Sequence, residues 1–201
     1  MVKPLRSYIV KLYVVLLSLI LSAPQVLAAS DPIQVVETGT QKVLQVLEKN
    51  KTDTEARRQA IRKIVDEYFN FDEMARRSIG PAWNEQPRDK QQEFVESFSQ
   101  FLFNVYIDKI EKYTGEKITY DSQQVNGEYA SVKAIVHGYN GTNIPIIYRL
   151  HLNDGSWKAY DVVVDRIDLV NNYRSQFGDI LSRHSFDYLL KLLKEKNAQN
   201  S

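Results

Sequence analysis

Apolar residues recur every three to four positions through the first half of the chain, a spacing that is typical of helices packed on one side. It predicts helices over 33–47, 54–68 and 71–79, then a longer helix from Pro87 to Gly115. The long helix carries a broad aromatic stripe, which predicts either ordinary core packing or the wall of a cavity. The first half of the chain is therefore predicted to be helical.

The period shortens to two in the second half, where apolar and polar residues alternate as in half-buried strands. The alternation predicts four strands, over 117–123, 128–139, 143–152 and 157–165. Three pairs between them accept the positive φ angles of tight hairpins: Asn126-Gly127, Asn140-Gly141 and Asp154-Gly155. Consecutive strands are therefore expected to pair antiparallel.

Each of the last three predicted strands has one apolar row. Small Ala and Val residues within 128–139 face bulkier Ile, Tyr and Leu residues on the next strand, which can leave space between sheet and helices. The apolar row of the last strand consists of Tyr160, Val162 and Val164. From Ile167 the helical period returns, with Asp165 or Asp168 as the candidate N-cap. These elements predict an α+β fold with a mostly antiparallel four-stranded sheet between N-terminal and C-terminal helices.

The N-terminus has the features of a cleavable export signal. A basic start precedes an apolar run over 12–21, and small residues follow it. An uncleaved anchor is the alternative, but about ten apolar residues are few against the ~20 that cross a bilayer. We expect residues 1–28 to be removed, leaving one domain over 29–201 with a frayed tail at 194–201.

Charge and composition narrow the class of function. Removal of the signal takes away Lys3, Arg6 and Lys11. The chain then has 23 basic and 25 acidic residues instead of 26 and 25. A slightly acidic chain is a poor match for nucleic acid, which needs a concentrated basic surface. Without cysteine, an exported protein has no disulfides, so its stability comes from the core.

Candidate chemistry is sparse. The sequence has no nucleophile elbow, phosphate-binding glycine loop or zinc motif, so we expect no catalytic residue, metal site or cofactor. His137 and His151 are expected on one exposed sheet face as surface residues. Asp161 stands in an apolar strand, either as a general base in a cone-shaped α+β enzyme or, more simply, paired with a cation such as Arg174.

Three segments carry a family resemblance. Gly80-Pro-Ala-Trp83 precedes the aromatic helix, and Trp157-Lys-Ala-Tyr-Asp161 is followed by Ser175-Gln176-Phe177. They resemble the MlaC family, also called toluene-tolerance auxiliary components: periplasmic lipid-binding proteins that work with an ABC transporter. The family often has Glu-Gly-Val-Ser where this chain has Asp165-Arg166-Ile167-Asp168.

The resemblance implies a curved sheet capped by helices that encloses an apolar cavity. It also implies a periplasmic carrier, not an enzyme, that shuttles phospholipid as cargo between the outer and inner membranes. The implied partners are an inner-membrane ABC transporter with its substrate-binding ring protein and an outer-membrane lipoprotein complex. The alternatives are the enzyme with Asp161 as base, and a periplasmic adaptor with a filled core that carries nothing.

The facing pattern of strands and helices selects the candidate lipid-binding residues. We expect the cavity to be lined by Phe98, Leu102, Val105, Val132, Val136, Ile146, Tyr148, Leu150, Val162, Val164 and Tyr173.

Overall fold

A computed structural model describes residues 31–199, so the predicted export signal lies outside the described residues. The helices are α1 Pro32–Lys49, α2 Thr54–Tyr68, α3 Phe71–Ile79, α4 Arg88–Glu111, α5 Leu169–Leu181 and α6 Phe186–Gln199. A short 3₁₀ helix, Gly80–Glu85, joins α3 to α4. The helices described between residues 31 and 199 are too short or too polar to span a lipid bilayer.

The sheet is an antiparallel meander in which every strand pairs with its neighbour in the chain. Its strands are β1 Ile118–Asn126, β2 Tyr129–Tyr139, β3 Thr142–Asn153, β4 Ser156–Val164 and β5 Ile167–Asp168. The α+β class and the hairpins predicted from the glycine turns are confirmed. Both residues of the Asn140-Gly141 turn have positive φ, 49° and 79°, as a two-residue hairpin requires.

The sheet has five strands, so the prediction of four is corrected. Asp165 and Arg166 adopt φ angles of 47° and 71° and reverse the chain, which pairs Val164 with Ile167. The predicted fourth strand therefore folds back on itself before α5 begins. Neither turn residue is glycine, and an Asp-Arg pair is not a usual signal for this type of turn.

Side-chain caps account for where two helices begin. The Asp53 carboxylate accepts a hydrogen bond of 2.9 Å from the Ala56 amide at the start of α2. At the start of α5, Asp168 accepts one of 2.8 Å from Asn171. Asp168 is thus the N-cap and Asp165 is not, because Asp165 belongs to the preceding turn. Such caps satisfy amides that lack a partner in the first helical turn.

A β-bulge in β4 redirects one residue of the predicted apolar row. Arg149 pairs with Asp161 and Leu150 pairs with Ala159, so Tyr160 is an extra residue in the ladder. Tyr160 consequently lies on the other face from Val162, where its ring meets the edge of Tyr129 at 6.0 Å between centroids. The row predicted for this strand is therefore interrupted at the bulge.

Two apolar cores stabilise the fold. The larger one lies between the four helices α3, α4, α5 and α6. It contains the buried aromatic rings of Phe94, Phe98, Phe177 and Phe186. The smaller one packs Val36 of α1 on the inner face of the sheet.

The C-terminal segment belongs to the larger of these cores. Helix α6 continues to Gln199, and within it Lys194 forms an ion pair with Glu93. The Asn197 amide donates a hydrogen bond of 2.9 Å to the Ser97 carbonyl. Residues 194–199, predicted to be frayed, are therefore helical and docked on α4.

Candidate functional site

A cavity of about 640 Å³ lies between the helices and the inner face of the sheet. Its volume falls within the range of ~300–1,000 Å³ that is usual for ligand pockets. The walls come from α1, α2 and α4 on one side and from β2, β3 and β4 on the other.

The sheet contributes a wall of alternate residues, because successive side chains of a strand point to opposite faces. The members are mostly branched aliphatic: Val136, Ile144, Ile146, Tyr148, Leu150, Ala159, Val162 and Val164. Leu150 is fully buried at the floor, whereas Val164 is 40% exposed. The wall therefore runs from the protein interior to solvent.

The helices close the other side with residues that were not among the eleven predicted lining residues. They include Val35, Val43 and Leu47 of α1, Ile64, Val65 and Tyr68 of α2, and Phe103, Tyr106 and Ile110 of α4. One signal was available in the sequence. Gly39 of α1 has no side chain, and a Cβ there would lie 2.8 Å from Cδ1 of Tyr68. This glycine allows α1 and α2 to approach closely.

Seven of the eleven predicted lining residues lie in this wall: Leu102, Val136, Ile146, Tyr148, Leu150, Val162 and Val164. The structure places the other four elsewhere. Val132 is buried in the core between α1 and the sheet, and Val105 is half-buried on α4 outside the wall. Phe98 and Tyr173 pack edge to face in the helical core, with centroids 5.5 Å apart.

The aromatic stripe of α4 explains this division. It is broad enough to have two apolar faces, one toward α5 and α6 and one toward the sheet. Phe98 lies on the first face, and Leu102 and Phe103 line the cavity from the second. The stripe therefore serves as both core and cavity wall.

Hydroxyl groups in and beside the wall remain uncharged. Burial raises the pKa of Tyr148 to about 12. Burial also raises the pKa of Tyr106, which hydrogen-bonds to Tyr173. Both phenols are therefore protonated at neutral pH. In the described part of the chain, the charged residues of the cavity wall are Lys109 and Asp165.

Asp161 lies on the sheet face opposite to the cavity. Only 2% of it is exposed, and its partner is Arg149, with Nη1 and Oδ2 2.5 Å apart. Its other oxygen accepts a hydrogen bond of 3.0 Å from the Val170 amide. The prediction of Arg174 as partner is wrong, because the Arg174 guanidinium lies beside Gly80 instead. Asp161 connects β3, β4 and α5 and has no part in the cavity wall.

The two sheet histidines have separate neighbours. His137 Nε2 lies 2.8 Å from the Thr119 hydroxyl, while His151 stacks on Tyr129 at 4.7 Å between centroids. They lie at opposite ends of the β2–β3 ladder. Over the described range 31–199, no group of His, Asp or Glu is arranged to hold a metal ion.

Relatives of this chain include transport and binding proteins of bacteria. It is 29% identical to the toluene tolerance protein ttg2D of Pseudomonas putida over 166 residues, which is 80% of this chain and 77% of that protein. It is 19% identical over 182 residues to the intermembrane phospholipid transport system binding protein MlaC of Haemophilus influenzae, covering 86% and 85% of the two chains.

A solved structure has the same fold. The phospholipid-binding protein from Ralstonia solanacearum, determined in complex with a phospholipid, superposes with a TM-score of 0.76 at 21% identity, covering 85% of this chain and 98% of that one. The sequence model of the family described as MlaC protein matches residues 37–195. The resemblance noted in the sequence is confirmed, and the chain belongs to the MlaC family.

Proposed function

We propose that this protein is a periplasmic carrier that holds a phospholipid by its acyl chains in the cavity. The observation that supports this most directly is the composition of the wall, in which two charged side chains accompany a predominantly branched and aromatic lining. Such a lining suits a cargo that is apolar over most of its length. The Haemophilus relative, the binding protein of an intermembrane phospholipid transport system, is consistent with this cargo.

The energetics of transfer make a closed carrier necessary. Each CH₂ group that leaves an apolar environment for water costs ~0.8 kcal/mol, so two chains of sixteen carbons cost on the order of 25 kcal/mol. A wall of aliphatic and aromatic side chains replaces the contacts that the tails lose on leaving the bilayer. The headgroup can stay at the mouth in water, where it needs few specific contacts.

The proposed partners follow from membership of the family. They are an inner-membrane ABC transporter with a substrate-binding ring protein and an outer-membrane lipoprotein complex. A cavity that always bound the acyl chains with the full free energy of transfer would never release the lipid. We therefore expect docking to favour an open conformation and so shift the population toward release.

The position of Asp161 supports a carrier over an enzyme. A general base must reach the proton that it removes. The Asp161 carboxylate is bound to Arg149 and to the Val170 amide on the far side of the sheet, away from the cavity. The proposed protein therefore binds and releases lipid without changing it.

Native mass spectrometry of the full chain, expressed in bacteria and purified without detergent, tests this function. We expect an added mass of one phospholipid or more, and solvent extraction should identify it. The critical variant is Val162→Trp, which places a large ring in the cavity. The matched control is Val163→Trp, because Val163 is also half-buried but does not belong to the cavity wall.

Val162→Trp should lower lipid occupancy strongly, and Val163→Trp should leave it unchanged. Circular dichroism confirms that both variants are folded. A wild-type protein that carries no lipid and cannot be loaded from vesicles would overturn the carrier proposal. The adaptor alternative, a protein that docks on a membrane partner without cargo, would then replace it.

A further inference from the structure

Lys109 and Asp165 mark the mouth of the cavity. Both are exposed, and within the described part of the chain they are the charged members of the cavity wall. Burying an unpaired charge is costly, so such groups stay where the wall meets water. Next to Asp165, Val164 is 40% and Ile167 is 62% exposed, which places solvent at this end of the cavity.

Neither charge has an ion-pair partner among residues 31–199. The Lys109 ammonium lies 4.9 Å from the centroid of the Tyr106 ring. By contrast, the two acidic neighbours of Lys109 on α4, Asp108 and Glu111, both pair with Arg58. Lys109 and Asp165 are thus available to a ligand, whereas Asp108 and Glu111 are already neutralised.

The two groups stand on different walls and form no ion pair with each other. Lys109 projects from α4, near the C-terminal end of that helix. Asp165 is held in the turn after β4, with its amide donating a hydrogen bond of 3.0 Å to the Pro145 carbonyl. The exposed part of the cavity wall therefore carries one positive and one negative group that are not paired with each other.

We propose that Lys109 binds the phosphodiester of a phospholipid whose tails fill the cavity, and that Asp165 binds an ammonium group beyond the phosphate. This inference rests on the proposed function and adds the headgroup class. A phosphate with an amine, as in phosphatidylethanolamine, matches both charges of the mouth. Phosphatidylglycerol matches only Lys109, because its terminal glycerol is uncharged.

The preference is expected to be modest, since contacts between solvent-exposed charges are weak. Their usual strength corresponds to a ratio of roughly two- to fivefold between the two lipids. The protein therefore remains able to carry other headgroups, but at equal concentrations it favours the zwitterionic one.

A competition assay tests this preference on the full chain. Delipidated protein is incubated with vesicles that contain equal amounts of phosphatidylethanolamine, phosphatidylglycerol and diacylglycerol with identical tails, and bound lipids are counted by native mass spectrometry. Asp165→Asn keeps the turn, because asparagine tolerates positive φ as aspartate does. It should lower the ratio of phosphatidylethanolamine to phosphatidylglycerol by roughly two- to fivefold. Lys109→Gln should lower the ratio of both phospholipids to diacylglycerol.

Lys112→Gln is the matched control, because Lys112 is exposed beside the same helix end but does not line the cavity. It should change neither ratio. A wild-type protein that loads lipid with ratios that Asp165→Asn and Lys109→Gln leave unaltered would overturn the headgroup site and leave the carrier function standing. A wild-type protein that loads none of the three lipids would overturn both.

Discussion

Arg149 of β3 and Asp161 of β4 face each other across the ladder, with Nη1 2.5 Å from Oδ2. The same Nη1 lies 2.5 Å from Oδ2 of Asp168, the cap of α5. One guanidinium therefore joins two strands to the start of a helix. Because Arg149 and Asp161 are opposite each other beside a bulge, their pairing depends on the register of the sheet.

Asp161→Asn should destabilise the protein without abolishing lipid binding. Loss of the charge weakens the contact with Arg149, and a hydrogen bond to a charged group contributes about 1.5–3 kcal/mol. Urea denaturation should show this loss, and native mass spectrometry should show unchanged lipid occupancy. Loss of lipid from a folded variant would contradict the structural role assigned to Asp161.

Two glycine substitutions should have opposite effects on stability. Gly39→Ala places a Cβ 2.8 Å from Tyr68, whereas a Cβ at Gly178 of α5 meets no atom within 4 Å. Alanine gains about 1 kcal/mol over glycine within a helix, and overpacking costs about 1–3 kcal/mol. Gly178→Ala should therefore raise the melting temperature and Gly39→Ala should lower it. An equal rise in melting temperature for both variants would show that α1 and α2 can move apart without cost.

The contact between α2 and the end of α4 should be sensitive to acid. Arg57 and Arg58 lie 2.8 and 2.7 Å from the Glu111 carboxylate, of which only 13% is exposed. Burial alone would raise the pKa of Glu111, but the hydrogen bonds from Arg58 and Arg57 outweigh it and lower that pKa. A lowered folded-state pKa adds stability above the unfolded-state value and loses it as the pH falls through the folded-state value.

Glu111→Gln should therefore destabilise the protein by about 1 kcal/mol at pH 7. The difference from wild type should begin to shrink below about pH 4, where Glu111 becomes protonated in the unfolded chain, and should disappear below the lowered folded-state pKa, where it is protonated in both states. Urea denaturation at several pH values measures both effects. Glu67→Gln is the control, because Glu67 is 58% exposed in its pair with Lys42 and should change stability by less than about 0.5 kcal/mol.

Substitutions of two phenylalanines of α4 should distinguish a core residue from a residue of the cavity wall. Phe98 is fully buried among the rings of Tyr173 and Phe177, so Phe98→Ala should cost about 3–5 kcal/mol. Phe103 is half-buried in the cavity wall, so Phe103→Ala should cost about 1 kcal/mol and change lipid occupancy instead. Thermal unfolding and native mass spectrometry together distinguish the two results. A larger stability loss at Phe103 would contradict this division of the stripe.

Local chemistry made several elements predictable from the sequence. The apolar period gave α2 and α3 with the observed bounds, Thr54–Tyr68 and Phe71–Ile79. Glycine after Asn or Asp marked the hairpins, because few other residues accept positive φ. Alternation along β3 and β4 placed Ile146, Leu150 and Val162 in the cavity wall.

Features that depend on tertiary contacts were not predictable. The bulge at Tyr160 follows from the register between β3 and β4, so no local pattern indicates it. The partner of Asp161 is on another strand, and Arg174 was a plausible candidate only by proximity in the chain. The share of α1 and α2 in the cavity depends on how the helices cross, which their amphipathic spacing does not specify. Gly39 was the one local sign of that crossing.

The order of the elements also affects how the protein folds. Each strand pairs with the strand next to it in the chain, so the sheet can form through short loop closures, which favours rapid folding. The helices that cover its inner face, α1, α2 and α4, all precede the sheet in the chain. During synthesis α1 and α2 can pack on each other, but the apolar sides that face the sheet stay uncovered until β1 to β4 have emerged. The newly made chain therefore exposes these apolar helix sides for longer than it exposes unpaired strands.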